Sequence, residues 1–239
     1  MTTYDLSLES GPKRRKTMVH VFDLLGCVAT GATTDEALAA TPDAIRAYLR
    51  FLRRHGQPVD PDAGFETRVT EHITEGAWLG NGSPYVAFAR DFEPVSDDEL
   101  ATHLRRFRWM REEMAAWVRT QSDEELDAEP QPKGRPARAV LLHVMAVPGA
   151  YLSAALGGAK GFSALQTQAE RGLVPLDEAL MRVVDMVEER IAQATPAGRL
   201  RVVERPKDVR TFRKALRRML EHDWEHLAEL SRRAGGPAL

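Results

Sequence analysis

Residues 211–226 read TFRKALRRMLEHDWEH and decide the fold of the second half of the chain. Apolar residues recur through this stretch at helical spacing, so it predicts an amphipathic helix that continues to about residue 232. His222 and His226 lie four residues apart, which places two imidazoles on one face of that helix about one turn apart. Two such rings can hold one divalent ion, although a pair of this kind also occurs by chance.

His143 is a third candidate ligand. It is the only polar side chain between Ala139 and Ala150, and this otherwise apolar stretch predicts a buried helix. A buried imidazole needs a hydrogen bond or a metal ion. Two interpretations stay open: a core histidine bonded to a neighbouring hydroxyl or carbonyl group, or a third ligand that faces the pair on the last helix.

Two further helices complete the second half. A Ser96-x-x-Glu99 capping box predicts the start of one, and apolar residues spaced from Leu176 to Ile191 predict the other. Four amphipathic helices in succession predict an all-α four-helix bundle over residues 93–239.

The first half has a different pattern. Residues 4–8 and 18–22 alternate with period two and predict two strands of a hairpin, whose turn has a basic tip at Lys13–Lys16. A short third strand follows in the stretch 24–31, and a fourth strand in the stretch 65–73. Between them the stretch 33–56 predicts a helix, whose start is indicated by a Thr33-x-x-Glu36 capping box.

The predicted order is therefore β-β-β-α-β, a small α+β domain over residues 1–75. Residues 76–92 are rich in glycine and predict a connection between the domains, with one more strand at Tyr85–Phe88.

The composition of the chain excludes several classes of protein. The chain has 239 residues, a formal net charge of -2 and 43% hydrophobic residues, so it lacks the basic excess of a protein that binds nucleic acid or a membrane surface. Cys27 is the only cysteine, which excludes an intrachain disulfide, a cysteine-based zinc site and a CxxC redox pair. No signal-like segment and no uninterrupted apolar run of about 18 residues is present, and we expect a cytoplasmic protein.

The second half resembles the DinB/YfiT-like family of four-helix metal proteins over about residues 92–235. The resemblance rests on LLH at 141–143 and on the stretch 211–226 quoted above. In that family one histidine of the second helix and an H-x3-H pair of the fourth bind a divalent metal. The resemblance implies that His143, His222 and His226 are the metal ligands, and that the activity is thiol-dependent transfer or metal-dependent hydrolysis.

The first half resembles the HicB-like antitoxin fold over about residues 2–73. LLGCVATG at 24–31, followed by TDEAL at 34–38, is similar to a stretch typical of that family. Complete antitoxins use this domain to occlude a toxin and carry a separate DNA-binding domain. Here a helical bundle takes that place, so the repressor role does not transfer, and Leu25 stands where the family usually has proline.

Three hypotheses remain open. The first is a metal-dependent enzyme, a hydrolase or a thiol-dependent transferase acting on a small molecule, with Glu225 as the candidate catalytic residue for proton transfer. Asp223 and Glu229 are weaker candidates for supporting the ligands, and we expect Asp223 to be solvated and paired with Arg217 or Arg218.

The second hypothesis is a binding or regulatory module whose HicB-like domain docks a protein partner while the metal is structural. The third is an adaptor without metal. Three imidazoles suit zinc and nickel equally, and a low-molecular-weight thiol is a possible cofactor. We expect no nucleic-acid or membrane partner, and bundles of this kind often form homodimers.

Overall fold

The computed structural model describes residues 1–12, 16–130, 133–206 and 208–239. The predicted basic tip lies outside these ranges except for Lys16. The described chain forms two compact units, one of residues 1–94 with 202–222 and 239, the other of residues 95–201 with 223–238. The domain limits 1–75, 76–92 and 93–239 stay a prediction from the sequence.

A four-stranded sheet forms the base of the first unit. Its strands are β1 (Thr2–Ser10), β2 (Thr17–Val21), β3 (Val28–Gly31) and β4 (Phe65–Ile73). Their order in the sheet is β3-β2-β1-β4. The hairpin predicted from the alternating residues is confirmed, because β1 and β2 pair antiparallel.

Helix α1 (Thr34–Arg54) connects β3 to β4 and allows β4 to pair parallel to β1. Parallel strands need such a crossover. The predicted order β-β-β-α-β is therefore confirmed for the described residues. The capping hydroxyl of Thr33 accepts the backbone N–H of Glu36 at 3.2 Å, which fixes the start of the helix as the sequence predicts.

The two faces of the sheet differ in chemistry. Leu8 and its cross-strand neighbour Val19 lie on an apolar face, and α1 packs against β2 and β3. Because side chains alternate along a strand, the opposite face carries Ser7, Glu9 and His20, and all three are buried. The sheet thus has a buried polar face as well as an apolar one.

The strand predicted at Tyr85–Phe88 is wrong. These residues run through a turn into a single 3₁₀ turn at Ala89–Phe92. The carboxylate of Asp91 accepts the backbone N–H of Phe88 at 2.9 Å, so this donor is used within the turn rather than by a neighbouring strand.

The predicted four long helices are confirmed. They are α2 (Asp97–Val118), α4 (Ala137–Leu156), α6 (Leu176–Ala192) and α8 (Phe212–Ser231). The described residues add three short helices that the pattern does not indicate: α3 (Asp123–Asp127), α5 (Phe162–Glu170) and α7 (Pro196–Leu200). A two-stranded sheet of β5 (Val203–Arg205) and β6 (Asp208–Arg210) precedes α8.

In the second unit α6 packs against both α2 and α4, and α5 packs against α4 and α6. The reciprocal hydrogen bonds of Ser96 and Glu99 confirm the capping box at the start of α2. The chain therefore has an α+β N-terminal part and a helical C-terminal part.

Helix α4 is less buried than its composition predicts. His143 is exposed, and so is Ala139 one turn earlier, while Val140 and Val144 are fully buried. The prediction that His143 lies in a helix buried on every side is wrong, because an apolar surface of alanine and valine can also form the outer stripe of a bundle helix. Among the described residues α4 is the one helix whose length and composition would suffice to cross a membrane; core helices pass the same test, so this is weak evidence for a membrane span.

Candidate metal centre

Three histidines from two helices come together in the structure. His143 of α4 and His222 and His226 of α8 each offer a ring nitrogen, and these nitrogens lie within 4.8 Å of one another. The rings of His143 and His226 are nearly perpendicular, with their centroids 5.3 Å apart. Residues separated by about eighty positions in the chain thus form one cluster.

The three histidines of the cluster differ in their exposure to solvent. His222 is buried, His226 is half-buried and His143 is exposed. A catalytic metal site needs ligands that are partly withdrawn from water and one coordination position that a substrate or water can reach. The exposed His143 places one side of the cluster at the surface.

Glu229 orients His226. Its Oε2 lies 2.7 Å from Nδ1 of His226, and a carboxylate can only accept, so Nδ1 is the donor. A histidine bonded in this way through Nδ1 offers Nε2 to a metal, which is the usual arrangement around bound zinc. Arg233 donates to the other oxygen of Glu229 at 2.8 Å.

The surroundings of the cluster favour a neutral His143 and an ionised Glu229. Partial burial lowers the pKa of His143, and the neighbouring His226 and Arg135 lower it further. The hydrogen bond from His226 is the main reason that the pKa of Glu229 falls to about 2. A neutral imidazole is the form that binds a metal ion, so the lowered pKa favours the binding form of His143 near neutral pH.

Asp223 differs from the sequence-based expectation. It is neither solvated nor paired with Arg217 or Arg218; it is fully buried and forms an ion pair with Arg111 of α2. Burial raises the pKa of Asp223, and the guanidinium of Arg111 opposes that effect. From the sequence alone, the charge of Asp223 predicts a position at the surface. Its partner Arg111 lies 112 positions away, so no local pattern indicates their contact.

The first half of α8 carries a second buried ionic network within the first unit. Glu221 accepts hydrogen bonds from Arg217 at 3.0 Å and from Arg218 at 2.7 Å, and its other oxygen lies 2.7 Å from Nδ1 of His20. Arg217 also donates two hydrogen bonds, of 2.8 and 2.9 Å, to Asp91.

Burial would raise the pKa of Glu221, but Arg217, His20 and Arg218 hold it well below its usual range. The charges of this network are therefore matched inside the protein. The residue that precedes His222 along α8 is fixed by three partners.

A cleft of about 790 Å³ lies in the second unit. Its lining includes one aromatic residue, three carboxylates and three basic residues: Trp117, Glu125, Glu129, Glu229, Lys133, Arg232 and Arg233. Its volume is within the range of small-molecule sites. Through Glu229 the cleft shares a residue with the surroundings of His226.

The residues present fit a divalent metal ion. Zinc–nitrogen bonds of 2.0–2.1 Å place tetrahedral ligand nitrogens about 3.4 Å apart, and the three ring nitrogens already lie within 4.8 Å of one another. Three neutral nitrogen donors also match the preference of zinc and nickel.

The predicted catalytic Glu225 is half-buried on α8, next to His226 in sequence and outside the histidine cluster itself. Its role stays a prediction. Cys27 is fully buried in the first unit and contributes nothing to the cluster.

A helical domain with three clustered histidines is the architecture of a metal-binding bundle. The sequence model of the DinB superfamily matches residues 106–230, slightly more than half of the chain. The chain therefore belongs to the DinB superfamily, whose domains usually bind divalent metal ions. No curated protein and no solved structure shows a significant match to the chain.

Proposed function

We propose that the chain is a divalent-metal-dependent enzyme in which His143, His222 and His226 hold the ion and a small molecule is hydrolysed or receives a thiol. The observation that carries this proposal is the approach of three histidine nitrogens within 4.8 Å, with one of the three rings exposed. When bound, a divalent ion supplies a Lewis acid that brings the pKa of a bound water to about 7 or stabilises a thiolate.

The residues of the chain have distinct tasks in this proposal. Glu229 holds the ring of His226 in one orientation through Nδ1. Glu225 is positioned next to that ligand on the same helix and serves as proton acceptor. The cleft that Glu229 helps to line carries three carboxylates and three basic groups, so its lining favours a polar small molecule over one that carries a single kind of charge.

The first experiment is an elemental analysis of protein purified without an affinity tag. We expect about one equivalent of zinc or nickel per chain, lost in the His226→Ala variant. Turnover is then measured against panels of hydrolase substrates and of thiols with electrophilic acceptors, with and without a chelator. Wild-type protein that holds no stoichiometric metal and takes none up on dialysis contradicts the proposal.

A second candidate function is a binding module with a structural metal. The observation in its favour is β4, an outer strand of nine residues whose stretch 66–70 is exposed. Outer strands can pair with an extended segment of a partner. The HicB-like resemblance of the first half, with its β-β-β-α-β order, supports this alternative. Chelation that lowers the melting temperature, together with no turnover in either panel, would favour it.

A further inference from the structure

Arg111 lies in α2 and makes contact with the two helices that carry the histidines. Its side chain is fully buried, and its Nη2 donates to the backbone carbonyl of Val144 at 2.9 Å. The same nitrogen donates to Oδ1 of Asp223 at 3.0 Å, and its Nε donates to Oδ2. Val144 directly follows His143, and Asp223 directly follows His222.

The carbonyl group that Arg111 binds is available because of Pro148. In a helix the carbonyl of Val144 would accept the N–H of residue 148, and proline has none. Helix α4 nevertheless continues through Pro148 to Leu156. Arg111 therefore supplies, one residue after His143, the hydrogen bond that the proline withholds.

Stability alone does not account for this arrangement. A buried ion pair repays its desolvation only in part, and apolar residues of similar volume often serve as well or better. A guanidinium, in contrast, presents several donors in a rigid plane and can fix two acceptors relative to each other. Its ring contact with Phe107, at 5.0 Å from the centroid, holds that plane in turn.

We propose that Arg111 is a positioning residue of the metal centre: its guanidinium sets the separation and rotation of α4 and α8 at the level of the ligands, through Val144 and Asp223. The proposal rests on the metal binding proposed above. It assigns to Pro148 the complementary task of freeing the acceptor on α4.

The test compares four proteins: the wild type, Arg111→Lys, the apolar double variant Arg111→Met/Asp223→Leu, and Arg190→Met. The last is a matched control, because Arg190 also donates to carbonyl groups at the end of α4, those of Leu156 and of the next residue Gly157, about 20 Å beyond Val144. For each metal-free protein the melting temperature and circular dichroism are recorded. Co²⁺ and Zn²⁺ are then titrated, and the visible spectrum of the Co²⁺ form reports ligand geometry.

We expect the double variant to fold without metal and to bind Co²⁺ about 10- to 100-fold more weakly than the wild type, with an altered spectrum. Arg111→Lys keeps the charge but not the planar fork, so we expect an intermediate affinity. Arg190→Met should keep the wild-type affinity and spectrum even where its melting temperature falls.

A folded double variant with the affinity and spectrum of the wild type would overturn the inference. If the double variant does not fold, Arg111→Lys is the deciding variant. A folded Arg111→Lys protein with unchanged affinity and spectrum overturns the inference, whereas weakened Co²⁺ binding supports it. If the wild type binds neither Co²⁺ nor Zn²⁺, the proposed metal-dependent function is refuted. The failure of that function can therefore be distinguished from the failure of the role assigned to Arg111.

Discussion

His226 and Glu229 are joined by a hydrogen bond of 2.7 Å between Nδ1 and Oε2. This bond fixes the tautomer of the ring, so the nitrogen directed to a metal is Nε2. The carboxylate is itself held by Arg233. The ligand at the more exposed end of α8 is thus oriented before any ion binds.

Replacing Glu229 by glutamine should weaken metal binding about 10-fold, toward the lower end of what such supporting partners contribute. The amide can still accept from Nδ1 but no longer carries the charge that makes the imidazole a better donor. Isothermal titration with Zn²⁺ measures the change. Glu178→Gln is the control, since Glu178 pairs with Arg182 on the surface of α6. Equal affinities for the two variants would contradict the role assigned to Glu229.

Removing a ligand should have a larger effect. We expect His226→Ala, His222→Ala and His143→Ala each to weaken Zn²⁺ binding by more than about 100-fold, since even the partners of ligands contribute 10- to 100-fold. The control is His55→Ala, at the end of α1. If His143→Ala binds as tightly as the wild type, the centre contains only the pair on α8.

The ionic network of the first unit should be important for stability. Arg217→Met leaves Asp91 and Glu221 buried without their main counter-ion, and we expect unfolding to become easier by about 3–5 kcal/mol. Urea denaturation followed by circular dichroism measures this change. Arg182→Met removes an exposed pair and should cost less than about 1 kcal/mol. If both variants lose a similar free energy of unfolding, the buried network contributes no more to stability than an exposed ion pair.

Gly149 should tolerate no side chain. A Cβ at this position would lie 2.6 Å from Cγ of Phe162, so α4 and α5 approach each other too closely for alanine. We expect Gly149→Ala to destabilise the protein by about 1–3 kcal/mol. The double variant Gly149→Ala/Phe162→Leu should lose less than the sum of the two single losses, because the smaller side chain relieves the clash. Additive losses in thermal unfolding would argue against this contact.

The buried Lys214 predicts that the stability of the folded protein depends on pH in the alkaline range. Burial lowers the pKa of Lys214, whose ammonium donates to the carbonyl of Val209 at 2.6 Å. The unfolded chain therefore binds more protons than the folded protein between that lowered pKa and about 10.5, so this residue makes stability rise with pH in that window. Comparing the melting temperatures of the wild type and Lys214→Met from pH 8 to 10.5 isolates its share. A constant difference between the two curves would contradict the prediction.

Local patterns in the sequence account for most of the elements. Period-two alternation predicts β1 and β2, capping boxes predict the start of α1 and α2, and apolar spacing predicts the four long helices. These signals depend only on neighbours along the chain, which is why they can be recognised without the structure. The strand predicted at Tyr85–Phe88 is wrong because the side chain of Asp91 binds a backbone donor there.

Spacing and resemblance predict the three histidines, but they do not predict the surroundings of these residues. The apolar neighbours of His143 predict a buried side chain, and it is exposed. The charge of Asp223 predicts a solvated side chain, yet it is buried, and so is Glu221, for which no position is predicted. Their partners Arg111 and His20 lie 112 and 201 positions away, and no local pattern encodes a contact at such separation.

Pro148 offered the one local clue to Arg111. A proline inside a long helix implies an unpaired carbonyl four residues earlier, and that carbonyl requires a donor from elsewhere. The sequence alone does not say which side chain supplies it.

The first unit is discontinuous, since residues 202–222 return to it after more than a hundred residues of the second. A gene fragment that ends at residue 94 would leave His20 on the polar face of the sheet without its partners Arg217 and Glu221. Neither half can therefore be moved into another protein as a contiguous cassette. Along the chain, residues 95–201 of the helical unit interrupt the residues of the sheet unit.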